Sequence, residues 1–246
     1  MIALAAVTAL ILLTWAVQAG PLTLIALSVL AAAVLIAPAP TRPRRQAGRP
    51  GASCDDRARR LRTPRVRLAD ALGISTRRGR QADNCQAGAQ GERYVATLLT
   101  ELEAEGWQFL YDRALPHSRA NVDVVALSPR GCTYVLDPKQ WSARYRLRVH
   151  GERLWHGNHD VTERLNGLKY ETRTVARLLG VDVVPLAVMI GPLARGFQLR
   201  LDGIRIVPAD DICAVLRRLD DQRLPHPRRP DIHTAARLLP PYPRSS

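Results

Sequence analysis

The first charged side chain in this 246-residue chain is Arg42. Residues 1–41 divide at Gly20-Pro21 into two nearly unbroken Ala/Leu/Val/Ile runs, 2–19 and 22–37. A soluble core helix normally shows a polar stripe, and these runs show none. At 1.5 Å per residue each run spans roughly 24–27 Å, the short end of what a hydrocarbon core of about 30 Å accepts. A cleaved signal peptide fits poorly, because no Lys or Arg follows Met1 and a second apolar run comes directly after the first. Residues 1–41 are therefore read as a transmembrane hairpin.

Between residues 42 and 80 stand thirteen arginines and three aspartates, a net +10 within a chain of formal charge +14. The positive-inside rule places that segment, and with two spans both termini, in the cytoplasm. The expectation is a multi-pass protein of the cell (inner) membrane with a cytoplasmic soluble domain. Rich in Pro, Gly and Arg, residues 42–84 read as a flexible linker, with 65–72 able to form a short helix. Its charge suits anionic lipid headgroups, at about 1 kcal/mol per basic residue near the surface, or nucleic acid. With 46% hydrophobic and 24% charged residues, the chain as a whole is neither disordered nor a many-spanning membrane protein. Its four cysteines, 54, 85, 132 and 213, lie too far apart for a zinc knuckle or a redox pair. Only Lys139 and Lys169 are lysines among 36 basic residues, so each one invites inspection.

A folded region is expected from about residue 85 to 207. It opens with a helix in which Glu92, Val95, Leu99 and Leu102 share one face. Glu92 there is either a first-turn acid complementing the helix dipole or a functional acid. Strands are expected over 107–112, 120–127 and 132–139. Ser128-Pro129-Arg130-Gly131 between the last two predicts a three-residue hairpin loop with a glycine bulge. In that register paired residue numbers sum to 260, Asp123 faces Asp137, and period-2 alternation puts Lys139 on the face of Asp137. Two carboxylates about 5 Å apart at an effective dielectric near 20 repel by roughly 3 kcal/mol. One lysine offsets part of that and a divalent cation offsets more, with carboxylate oxygens the ligands that Mg²⁺ or Mn²⁺ selects. The competing account is a buried Asp–Lys ion pair with the second Asp capping a turn.

The series Gly88-Ala89-Gln90-Gly91-Glu92, Asn121-Val122-Asp123-Val124-Val125 and Val135-Leu136-Asp137-Pro138-Lys139-Gln140-Trp141 resembles the nuclease-related domain (NERD) family of the PD-(D/E)xK nuclease superfamily, over roughly residues 85–195. The resemblance implies an α/β restriction-endonuclease-like mixed sheet flanked by helices. It also implies Glu92, Asp123 and Asp137 as acids holding Mg²⁺ or Mn²⁺, and Lys139 as the catalytic lysine. Pro138 departs from a regular strand, since it has no N–H for the position opposite Val122, so the ladder is expected to loosen or end there. Where relatives often carry glutamine near the start of the following helix, this chain offers Glu163, Arg164 and Asn166.

That helix is expected over 160–179, after a second hairpin over 144–149 and 152–155. A strand over 181–190, another over 204–207, a helix over 209–219 and an extended Pro-rich end complete the reading. His150, His156 and His159 are close in sequence, but no cysteine or motif supports zinc there. Arg164, Lys169 and Arg173 read as a solvated face. The function expected is a membrane-anchored, divalent-metal-dependent nuclease acting on nucleic acid, DNA ahead of RNA. The alternative is a noncatalytic nucleic-acid-binding or scaffold module tethered to the membrane.

Overall fold

The computed structural model describes residues 49–222 and 231–242, so the expected hairpin over 1–41 lies outside the described residues. Among the described residues no helix is long and apolar enough to cross a membrane. The described residues open with three helices, α1 (Ala52–Leu61), α2 (Pro64–Ala71) and α3 (Arg77–Glu103). Strands β1 (Gln108–Ala114), β2 (Asn121–Leu127) and β3 (Thr133–Gln140) follow, then the short strands β4 (Leu147–His150), β5 (Arg153–His156) and β6 (His159–Asp160). Helix α4 (Asn166–Leu179) leads to β7 (Val183–Ile190), β8 (Leu199–Leu201), β9 (Ile204–Pro208), α5 (Ile212–Asp221) and α6 (Ile232–Leu238).

Six strands make a mixed sheet in the order β1-β2-β3-β7-β9-β8, while β4-β5-β6 form a separate antiparallel sheet. The three central strands β3, β7 and β9 run parallel. One face is covered by α3 and α5, through Val95, Leu99 and Leu102 on the former and Ile212, Val215, Leu216 and Leu219 on the latter. The other is covered by α4, through Leu168 and Val175, and by α6 through Ala235. Each of the fully buried leucines is worth roughly 1.5–3 kcal/mol of apolar burial.

The β2–β3 hairpin has the expected register. Val124 pairs with Leu136, Val125 with Val135, Ala126 with Tyr134 and Leu127 with Thr133. Ser128 N–H donates to the Cys132 carbonyl (2.9 Å), Gly131 N–H donates to the Ser128 carbonyl (3.1 Å), and Gly131 sits at φ 90. Paired positions stop at Val124 and Leu136, one residue before Asp123 and Asp137, as the missing N–H of Pro138 requires. The parallel pairing of β3 with β7 runs on, with Asp137 beside Ala187 and Lys139 beside Met189.

Three expectations are corrected. The stretch read as a flexible linker has the short helix expected near 65–72, over 64–71, but is helical over 52–61 as well, because its arginines are not left to repel one another. Arg62 Nη2 reaches Asp83 (2.6 Å) and Gln86 (2.9 Å), Arg93 reaches Asp55 (3.0 Å), and Ala58 and Val66 are buried anchors. Helix α3 begins at Arg77, capped by the Thr76 hydroxyl, which accepts from Gly79 N–H at 2.9 Å. Glu92 is thus deep in the helix, and the first-turn dipole account of it falls. The Pro-rich end, expected to be extended, contains α6, whose Asp231 accepts from Thr234 N–H at 2.9 Å and whose Ala235 and Leu239 are fully buried.

Left-handed glycines mark the tight points of this frame, and two of them make a controlled comparison. Gly191, just after β7, has φ 108, and a Cβ there would lie 2.5 Å from the Trp141 carbonyl oxygen. Gly203, in the β8–β9 hairpin, has φ 77 and open space around it. Gly203→Ala is expected to cost about 1–2 kcal/mol from backbone handedness alone. Gly191→Ala should cost about 3 kcal/mol or more, because strain and a backbone collision add. Urea titrations of the two variants, compared with the parent chain, measure the difference.

Candidate active site

Asp137 and Lys139 alternate with Val135, and their parallel neighbours Ala187 and Met189 belong to the apolar cluster under α4. By the same period, Asp123 shares the face of Val125 and Leu127. Lys139 Nζ and Asp137 Oδ2 are 2.7 Å apart, with the Asp137 residue 7% exposed. The ion pair of the simpler account is therefore present. It is not isolated, because further acids surround it.

Glu92 arrives from α3 and is 4% exposed. Gly88 and Gly91 flank it for different reasons. A Cβ at Gly88 would meet the Cys54 sulfur of α1 at 3.6 Å, and one at Gly91 would meet Ile190 Cδ1 at 3.0 Å. These glycines let α3 settle between α1 and the end of the sheet, and that places Glu92 at the strand ends. Its Oε2 accepts from Gly51 N–H at 2.9 Å.

Two acids outside the expected set join it. Asp112, near the end of β1, is 1% exposed at φ 49. It accepts from Ser53 N–H (2.7 Å) and from Asn121 Nδ2 (2.9 Å), and the same Nδ2 lies 3.2 Å from Asp123 Oδ1. Glu171 comes from α4 on the face of Asp137, and no donor among the described residues reaches its buried Oε2. The sequence held a signal for it: Glu171 stands three residues after Leu168 and four before Val175, inside the buried stripe. Asp112 had none, because its neighbours in the strand are not alternating.

The electrostatics follow from five carboxyls that act on one another, three of which, Asp137, Asp123 and Glu171, also act on the Lys139 ammonium. Burial, and then the charge of Asp112, push Glu92 up to about 7 against the pull of the Gly51 N–H. Burial and Asp137 push Glu171 up to about 8, with Lys139 opposing. Asp123 is held well above the usual carboxylate range by burial, Glu92 and Asp137. Burial also raises Asp112, although Ser53 and Asn121 offset part of it. For Lys139 burial works downward, but Asp137 outweighs it and the ammonium is held more firmly than usual.

Such a set is chemically suited to a hard divalent cation: oxygen donors only, an excess of negative charge, and one carboxylate oxygen with no donor. In the arrangement described, protein donors hold Glu92, Asp112 and Asp137. Among the described residues no three His, Cys, Asp or Glu side chains are gathered at ligand geometry. The three histidines lie in the separate small sheet, where His156 Nε2 is 2.9 Å from the Ser142 carbonyl oxygen. Lys169 is tied to Asp202 at 2.6 Å, and the Arg164 guanidinium lies over the Trp141 ring at 5.6 Å, so neither belongs to the acid cluster.

Comparison with protein families matches residues 87–190 to the nuclease-related domain. Comparison with curated proteins gives no match, and comparison with solved structures gives none either. The matched stretch contains Glu92, Asp112, Asp123, Asp137, Lys139 and Glu171, and it excludes α1 with its donors to two of them. Residues 87–190 thus match the nuclease-related domain (NERD) family, and the PD-(D/E)xK superfamily is consistent with that match.

Proposed function

We propose that this chain is a divalent-metal-dependent nuclease that hydrolyses phosphodiester bonds, DNA ahead of RNA, and is held at the cell membrane by residues 1–41. The observation that carries the reading is the crowding of Glu92, Asp123, Asp137 and Glu171 on one another, with the Lys139 ammonium paired to Asp137, within a stretch that matches the nuclease-related domain. A sheet with three acids and a lysine so arranged also supports a restriction-endonuclease-like core. Burying several like charges is unfavourable unless something compensates them, and binding nucleic acid alone gives no reason to set acids against phosphates.

Glu92, Asp123 and Asp137 would hold Mg²⁺ or Mn²⁺. When bound, such an ion polarises the scissile phosphate and lowers the pKa of a water. The chain's own part is electrostatic. Lys139, kept protonated by Asp137, steadies the charge that develops on the phosphate and does not accept a proton. Arginines 42–80 supply the attraction for the polyanion or for the lipid surface beside it. One observation favours a noncatalytic binding module instead: Glu92, Asp112 and Asp137 already have protein partners.

Cleavage of single- and double-stranded DNA and RNA by the purified chain, with Mg²⁺, Mn²⁺ or chelator, separates the two. Asp137→Asn is expected to lower metal-dependent cleavage by roughly 10²–10³-fold and leave the fold intact. Lys139→Arg should be severely impaired as well, since a planar guanidinium does not replace a compact ammonium. Metal-independent binding with no cleavage by the parent chain would establish the noncatalytic module.

The raised acids give a second test. A carboxyl whose pKa is higher folded than unfolded binds its proton better in the native state. The stability it lends is full below its unfolded value near 4.5 and is lost as pH rises through about 7 for Glu92 and about 8 for Glu171. The metal-free Tm should therefore fall between pH 5 and 8.5. Glu171→Gln should flatten that slope and raise the Tm at pH 8. A Tm that climbs across this window would contradict the crowding of charge.

A further inference from the structure

Helix α1 precedes the matched stretch, yet its first residues touch the site. Gly51, in the left-handed region at φ 75, packs so closely on α3 that a Cβ would lie 2.8 Å from the Ala89 carbonyl oxygen. Ala89 and Glu92 are three apart on α3 and so lie on one face, and contact at Ala89 brings the Gly51 N–H over Glu92 at 2.9 Å. Two residues on, Ser53 N–H meets Asp112 at 2.7 Å. That amide lies in the first turn of α1, among the N–H groups that have no partner within a helix. Gly51 offers no side chain to cap it, and Asp112 does so from β1. Asn121 Nδ2 then joins Asp112 (2.9 Å) to Asp123 (3.2 Å).

We propose that residues 51–53 are a positioning element of the acid site, holding Glu92 directly and Asp123 through Asp112 and Asn121. The proposal rests on the reading of Glu92 and Asp123 as cation-holding acids. A carboxylate fixed by a backbone N–H has one orientation before a cation arrives, so the ordering that a free side chain would undergo is already done. The helix start is suited to this because its donors are fixed by the backbone and do not rotate away. The competing account is that Asp112 merely caps α1.

Proline is tolerated in a first helical turn, so Ser53→Pro removes the N–H, and Ser53→Ala keeps it while losing the hydroxyl. Calorimetric titration of the full chain with Mn²⁺ alone compares them. Ser53→Pro should bind Mn²⁺ about tenfold more weakly than the parent, and at least threefold more weakly than Ser53→Ala. Equal Mn²⁺ affinity in the two, with only the Tm lowered in Ser53→Pro, would show a cap and nothing more. Asn121→Ala leaves α1 untouched and should also weaken Mn²⁺ binding several-fold; affinity equal to the parent's would refute the arm to Asp123. Should the parent chain itself bind no Mn²⁺, the cation reading of the acids fails first and this proposal with it.

Discussion

Pro138 has no N–H, and the site depends on which way that absence faces. Hydrogen-bonded pairs in the β2–β3 hairpin fall at even positions, starting from Ser128 and Cys132. The nitrogen of Pro138 therefore points at β2 and leaves the β7 side intact. One ladder ends at Val124 and Leu136, while the other carries β3 through Lys139 to Gln140. Asp123 and Asp137 thus stand where two strands part, with their backbone still fixed by the parallel centre of the sheet. A regular residue in place of the proline would let the hairpin zip further and bring the two carboxylates closer.

Around that opening the chain gathers charge from five separate elements. Glu92 comes from α3, Asp112 from β1, Asp123 from β2, Asp137 and Lys139 from β3, and Glu171 from α4. No local stretch of sequence contains more than two of them. Their convergence is a property of topology: the crossover that returns the chain as β7 beside β3 lays α4 over the Asp137 face, while α3 covers the opposite face and meets the site at its end.

What could be read in advance was local or periodic. Ser-Pro-Arg-Gly specifies its own turn, so the hairpin and its register as far as Val124 and Leu136 followed from four residues, while the expected pairing of Asp123 with Asp137 lies one step beyond where the ladder ends. The buried strands announced themselves by unbroken apolar runs. The failures were of tertiary origin. Thirteen arginines over 42–80 suggest a solvated linker, and partners such as Asp83, Gln86 and Arg93, with the buried Ala58 and Val66, turn part of that stretch into packed helices. Glu171 carried a signal in its spacing from Leu168 and Val175, which the polar residues around it masked. Asp112 was invisible, since its carboxyl is defined by Ser53, 59 positions away, and by the turn of backbone at φ 49.

The last described residues have a consequence for the sheet's border. Strand β1 is an outer strand of the six, and its free side is met by the chain after α6. Ala114 N–H donates to the Pro240 carbonyl (2.8 Å), Arg113 bridges to Pro241, and Tyr242 N–H donates to the Asp112 carbonyl (2.9 Å). Exposed rims of this kind template pairing with other chains, and prolines are poor templates because they cannot extend a ladder. The Pro-rich end acts here as a selvage that seals the rim beside the acids. Two copies of this domain are thereby kept from pairing through the part of β1 that residues 240–242 cover, next to Asp112.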